Sequence, residues 1–178
     1  MNIPNLLTIL RIILVPIYLF VFFSNIENRF LIAGLIFILA GISDVLDGKI
    51  ARKYDLITKL GVMLDPIADK MMIFAVLISY TIAGIIPKWI IITLGVKELV
   101  MILGGGILYL YKGKQVVPSN SYGKIATVSF YAATLSIVFN ISEQLSYILF
   151  IVTVALNILA FLTYLKIYIN KRNNTQID

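Results

Sequence analysis

The chain has no cysteine and no histidine among its 178 residues, and only 9 acidic side chains. Without cysteine there is no disulfide and no thiolate metal site, and that absence says nothing about compartment. Without histidine the commonest general base and the usual zinc ligand are gone. Acid–base and metal chemistry therefore fall to carboxylates, a ligand set that favours Mg²⁺, Mn²⁺ or Ca²⁺. Polar residues are scarce as well: 60% of the chain is hydrophobic and its mean hydropathy is +0.97. A chain of this size cannot bury so much apolar surface in a core of its own, which excludes a soluble domain and leaves lipid as the cover. The net charge of +6 is compatible with nucleic acid, but the basic residues border apolar runs, so anionic phospholipid is the partner they fit and no nucleic acid is expected. Residues 1–5 carry no basic segment, and no small-residue cleavage site follows the first apolar run. That run reads as a retained transmembrane helix rather than a signal peptide.

A bilayer-spanning helix needs about 20 apolar residues. Six such runs can be drawn, at 6–23, 30–51, 60–82, 89–110, 125–139 and 145–167, separated by short polar segments. The expectation is an all-α integral membrane protein of six transmembrane helices. Residues 1–170 form one catalytic domain in this reading, and 171–178 a polar tail. Lys49, Arg52, Lys53, Lys59, Lys112, Lys114, Lys124, Lys171 and Arg172 fall on one side of the spans, against Arg29 and Lys88 on the other. By the excess of Lys and Arg in cytoplasmic loops, both termini and the loop at 52–59 should be cytoplasmic.

Five of the 9 acids lie from Asp44 to Asp69, and four of them, Asp44, Asp47, Asp65 and Asp69, fall inside the apolar runs, with Asp55 in the polar turn between. An unpaired carboxylate inside a bilayer costs roughly 2.5–3.5 kcal/mol on the lenient insertion scale, so four together call for a compensating cation. Asp44 and Asp47 are three apart and Asp65 and Asp69 four apart, so each pair lies on one helix face. At ~1.5 Å per residue from the turn at 54–58, Asp47 and Asp65 sit about 10 Å into their helices, and Asp44 and Asp69 about 15 Å. An antiparallel pair thus matches the inner and the outer carboxylates in height. Such a box of four suits two divalent ions clamping a diphosphate. Gly48, Ala51 and Gly61 lie on its loop side, where a nucleotide could approach the backbone, and Arg52 can bind phosphate or stack on a base. Taken singly, the glycines are as well read as helix-packing positions, and Arg52 and Lys53 as interface anchors.

The arrangement Asp44-x2-Asp47-Gly48-x2-Ala51-Arg52-x8-Gly61-x3-Asp65-x3-Asp69 resembles the signature of the CDP-alcohol phosphatidyltransferase family at every fixed position. The resemblance implies a six-helix homodimeric membrane enzyme that moves a phosphatidyl-type group from a CDP-linked lipid to an alcohol and releases CMP. It implies Asp44, Asp47 and Asp65 as metal ligands, Asp69 as general base with a share in a second metal, and Gly48, Ala51, Arg52 and Gly61 lining the CDP site. The cofactor is then two ions of Mg²⁺ or Mn²⁺. The opening Asn2-x-Pro4-Asn5-x2-Thr8-x2-Arg11 looks like the start of the family's bacterial members that make phosphatidylglycerophosphate. That likeness brings Asn5 and Thr8 toward the nucleotide, though Asn5 is equally readable as a helix cap. Lys97-Glu98 stands where those members have Arg-Glu, and Ala126 where they have Lys. The substrates implied are CDP-diacylglycerol and glycerol 3-phosphate, the latter's phosphate meeting Arg11, Lys97, Ser119, Ser121 and Lys124. The location implied is a bacterial cytoplasmic membrane, with the active site facing the cytoplasm.

Other readings compete. Lys97 and Glu98 can be a mutually buried ion pair. Within the family, a cardiolipin synthase accepting phosphatidylglycerol, or a synthase for inositol phosphate or another headgroup, shares the same chemistry. Intramembrane prenyl transfer also uses aspartate-rich metal sites but gives no reason for Gly-x2-Ala-Arg. A cation or proton transporter would spread its acids through the membrane depth, whereas these four cluster near one face.

Overall fold

The computed structural model describes residues 2–54, 56, 58–112 and 121–174. Six helices are found among them: α1 (Ile3–Phe23), α2 (Arg29–Lys53), α3 (Lys59–Ile82), α4 (Lys88–Lys112), α5 (Ser121–Val138) and α6 (Glu143–Asn174). Each matches one of the six apolar runs, with the ends displaced by a few residues at most, apart from the last two. There α5 starts earlier, at Ser121, and α6 continues through the polar residues up to Asn174. No strand occurs among the described residues. Among the described residues, three stretches are long and apolar enough to cross a membrane, namely Pro4–Phe23, Arg29–Lys53 and Glu143–Lys166. The third helix misses that standard because its first half carries Lys59, Asp65, Asp69 and Lys70.

The boundaries have local causes. Pro4 sits at the start of α1, where its missing N–H costs nothing. Asn28 takes a left-handed backbone (φ 60°) before α2, a conformation asparagine tolerates. Arg52 and Lys53 close α2 and complement the negative end of its dipole. The Thr58 side chain caps α3 by accepting from the Gly61 N–H at 3.0 Å. Beyond α3 the chain turns through Gly84 (φ +72°), a position that demands glycine.

The helices group into two compact units, residues 1–86 and 87–178. In the first, α1 packs on both α2 and α3. An aromatic cluster joins the three: the Phe22 ring lies 5.8 Å from Tyr18, 5.2 Å from Phe30 and 5.8 Å from Tyr80, centroid to centroid. The contacts of Phe22 with Phe30 and Tyr80, and of Thr8 with Asp47 and Asp65, make α1 antiparallel to α2 and parallel to α3. Large apolar residues face outward along α1 and α2, among them Leu10, Ile13, Phe20, Leu35, Leu39 and Ile42, while Thr8 and Arg11 are buried. Apolar outside and polar inside is the distribution a lipid solvent imposes.

In the second unit α6 packs on α5 and α4. The α5–α6 contact is stitched by hydroxyls: Thr153 Oγ1 donates to Ser129 Oγ at 2.9 Å, Ser129 Oγ to the Leu149 carbonyl at 3.2 Å, and Ser146 Oγ to Ser136 Oγ at 2.9 Å. Phe130 and Phe150 meet edge to face between them. A hydroxyl away from water is stabilised by finding a partner, and small residues let the helices approach closely enough to supply one. Thr153→Val, which keeps the shape and removes the donor, is expected to lower stability by roughly 0.6–1.7 kcal/mol, the span of interhelical hydrogen bonds in membranes. Reversible unfolding of wild type and variant in detergent micelles measures it, and a variant as stable as wild type would show that the hydroxyl stitch holds nothing.

Candidate functional site

Three of the four aspartates converge on one side chain. Arg11, on α1 and 1% exposed, places Nη1 2.5 Å from Asp44 Oδ1, pairs its Nη2 with Asp47 Oδ2, and keeps that nitrogen 3.9 Å from Asp65 Oδ1. Thr8, one turn earlier on the same face, donates to Asp65 Oδ1 at 2.6 Å and lies 3.5 Å from Asp47 Oδ2. The carboxylates of α2 and α3 therefore meet across α1, as their matched depths from the intervening turn lead one to expect. Asp47 is buried, while Asp44 and Asp65 are each about two-fifths exposed. The fourth carboxylate, Asp69, is half-buried and lies within electrostatic reach of Asp44, Asp47 and Arg11. It makes none of these pairings with Arg11 or Thr8.

The donor set is all oxygen and mostly anionic, which suits a hard divalent cation. Among the described residues, however, no three acidic side chains close on a common point as a ready ligand group. A guanidinium stands among them instead. Among the described residues the buried Arg11 Nε has no hydrogen-bond partner and Nη1 meets Asp44 as an ion pair without hydrogen-bond geometry, so part of this cation remains unmatched by its surroundings.

The loop side is organised by Asn5. The cap position of α1 belongs to Asn2, and its side chain makes no capping bond. Asn5 lies inside the first turn, so the alternative reading of it as a helix cap is not what the structure holds. Its Oδ1 instead accepts from Thr58 Oγ1 at 2.7 Å, and Thr58 Oγ1 accepts in turn from the Gly61 N–H. The start of α1 is thus tied to the cap of α3. A Cβ added at Gly61 would stand 2.9 Å from Asn5 Oδ1 and 3.2 Å from Thr58 Oγ1. A methyl there would force Asn5 or Thr58 to shift, so protein packing favours glycine before any nucleotide is considered. At Gly48 an added Cβ would meet only Arg52 Nη2, at an ordinary 3.8 Å. Arg52 is exposed at the end of α2 and donates from Nε to the Gly48 carbonyl at 2.9 Å, which holds its guanidinium over Gly48. Ala51 is half-buried in the same turn.

A family model described as CDP-alcohol phosphatidyltransferase matches residues 1–159, a stretch that contains every residue of this cluster. The chain belongs to the CDP-alcohol phosphatidyltransferase family. Among its relatives is a CDP-diacylglycerol–glycerol-3-phosphate 3-phosphatidyltransferase of Rickettsia bellii, 32% identical over 168 residues, or 94% of this chain and 92% of that one. The protein of the same name from Haemophilus influenzae is 48% identical over 77 residues, 43% of this chain and 42% of its own. A Mycobacterium tuberculosis protein named as a candidate cardiolipin synthase is 34% identical over 131 residues. That alignment takes in 73% of this chain, and the chain spans 61% of the length of the mycobacterial relative.

The residues singled out for an acceptor phosphate fare unequally. Arg11 is engaged by carboxylates. Lys97 on α4 is mostly buried and donates to Glu98 Oε1 at 2.6 Å and Asn157 Oδ1 of α6 at 3.1 Å, which is the ion-pair arrangement weighed above. Lys124 and Ser121 are exposed at the start of α5, and Ser119 lies outside the described residues. Thr58, which the sequence places only in the turn between the two aspartate-bearing helices, is the N-cap of α3. Its signal is a threonine immediately before an apolar helical run, the usual mark of an N-cap.

The Asn5–Thr58–Gly61 tie generates a coupled prediction. Gly61→Ala is expected to destabilise the protein by roughly 1–3 kcal/mol, the usual cost of overpacking a filled position. Asn5→Ala removes the atom that the new methyl strikes, so the double variant should lose less than the two single losses added together, a non-additivity of about 0.5 kcal/mol or more. Strict additivity in unfolding of the four proteins would show that the two residues do not press on each other.

Proposed function

We propose that the chain transfers a phosphatidyl group from CDP-diacylglycerol to glycerol 3-phosphate, forming phosphatidylglycerophosphate and releasing CMP. The observation that carries the reading is the gathering of Asp44, Asp47 and Asp65 around the Arg11 guanidinium, with Asp69 within electrostatic reach, in a chain of this family. The names carried by the Rickettsia relatives, which align along almost their whole length, support glycerol 3-phosphate as acceptor. The mycobacterial name keeps a second acceptor, phosphatidylglycerol, in view.

In this reading Asp44, Asp47 and Asp65, with a share from Asp69, hold Mg²⁺ or Mn²⁺, two ions in all. Divalent cations bound there supply charge neutralisation of the diphosphate and of the departing CMP. Asp69, outside the pairings that engage the other three, accepts the proton of the acceptor hydroxyl as its oxygen attacks the lipid-side phosphorus. The new P–O bond forms as the bond to the CMP phosphate breaks, and the electron pair leaves with CMP. Arg52, exposed and pinned over Gly48, takes a phosphate or the face of the base, with Ala51 and Gly61 lining the same turn. Thr8 and Asn5 keep α1 in place behind this site. Lys124 and Ser121, with Ser119 beyond the described residues, are the groups offered to the acceptor's phosphate, while Lys97 would have to exchange its Glu98 partner to join them.

The proposal includes six spans, one catalytic domain over 1–170, a homodimer, and a cytoplasmic membrane with the aspartates facing the cytosol. The run of Arg52, Lys53 and Lys59 beside the box supports that orientation.

CMP release from CDP-diacylglycerol should vanish with a chelator and return with Mg²⁺ or Mn²⁺. Asp69→Asn should abolish turnover and leave CDP-lipid binding within a few-fold of wild type, because a base acts in the transition state rather than on the bound ground state. Asp44→Asn and Asp65→Asn should weaken metal and nucleotide binding as well. Full CMP release in metal-free buffer, or near wild-type turnover by Asp69→Asn, would contradict these roles.

A further inference from the structure

We propose that Arg11 is the built-in countercharge of the aspartate box and sets its affinity for divalent cations by competing for the same carboxylate oxygens. The inference deepens the reading above and rests on the box being a divalent-cation site. Four observations bear on it. The guanidinium is 1% exposed, so it is not a surface cation that could swing away into solvent. Its two terminal nitrogens reach Asp44 and Asp47, with Asp65 at 3.9 Å, so it bridges the acids of α2 and α3 from the third helix. The oxygens it touches, Asp44 Oδ1 and Asp47 Oδ2, belong to two of the carboxylates that would hold a cation in the reading above, and among the described residues the acids form no ready ligand group beside it. Among the described residues its Nε has no hydrogen-bond partner, so Arg11 is not completely satisfied there.

A charge fixed among carboxylates acts in two directions. It offsets their mutual repulsion and lets α1, α2 and α3 close in an apolar setting, where an uncompensated cluster of acids would not be tolerated. It also lowers the electrostatic attraction for any further cation and occupies lone pairs that the cation needs. Arg11 is thus a positioning residue: it acts on substrate through the carboxylates and not by touching it. A purely structural arginine, by contrast, would hold the helices together and leave cation affinity unchanged, or worsened when the arginine is lost.

The experiment uses the full chain in nanodiscs, with Mn²⁺ as probe. Binding is read from the loss of the free-ion paramagnetic resonance signal, and thermal unfolding is followed with and without Mn²⁺. Arg11→Met keeps the length and removes the charge. It should bind Mn²⁺ at least tenfold more tightly than wild type, unfold at a lower temperature without the ion, and show a larger stabilisation when the ion is added. Arg11→Lys keeps one charge but loses the fork that spans two carboxylates. It should fold even if Arg11→Met does not, and bind Mn²⁺ more tightly by a smaller factor. Unchanged or weaker Mn²⁺ binding by the folded variants overturns the countercharge role and leaves the metal reading standing. Absence of Mn²⁺ binding by wild type and variants alike overturns both.

Discussion

The constraint on which the first three helices depend is the cost of carboxylates in an apolar medium. Asp44, Asp47 and Asp65 stand on helices whose outward faces are leucine, isoleucine and phenylalanine, and each needs a donor or a cation. The first helix supplies both. Thr8 donates to Asp65, and Arg11 bridges Asp44 and Asp47. Once those bonds are made, the direction and depth of α1 against α2 and α3 follow. The aromatic cluster around Phe22 then closes the far end of the same three helices.

This arrangement gives α1 a larger part than a membrane anchor. Its first turn ties through Asn5 to Thr58 and so to the start of α3, and its second and third turns reach the acids. Any movement of α1 would be felt by the loop side and the carboxylate side together. In the chemistry proposed, one element can thereby keep the nucleotide side and the metal side of the site in a constant relation. It is a reason for polar residues to recur at Asn5, Thr8 and Arg11 in a helix that is otherwise apolar.

Much of this was legible from residues alone. The apolar runs located the six described helices, three of which hold stretches long and apolar enough to cross a membrane. Helix rise and the three- and four-residue spacings placed the aspartates opposite one another, since both follow from backbone geometry. What the sequence left open were partners set by tertiary packing. The resemblance points Arg11 toward an acceptor's phosphate, whereas the structure turns it inward onto Asp44 and Asp47; its place one turn from Thr8 carries the hint that buried charges pair. Gly61 offers room for a nucleotide in the sequence, while the structure places Asn5 Oδ1, an atom 56 residues earlier in the chain, against it. Lys97 and Glu98 form the ion pair that their adjacency allowed, with Asn157 added by a helix that no local pattern could have named.

The central claim is that this box moves a phosphatidyl group onto a small phosphorylated alcohol. The purified chain with radiolabelled CDP-diacylglycerol, Mg²⁺ and a panel of acceptors tests it most directly, with the labelled lipid product identified in each case. The account predicts labelled phosphatidylglycerophosphate with glycerol 3-phosphate, and little product with phosphatidylglycerol or inositol phosphate. Product with phosphatidylglycerol alone would move the acceptor assignment to cardiolipin formation. No labelled product with any acceptor would contradict phosphatidyl transfer itself.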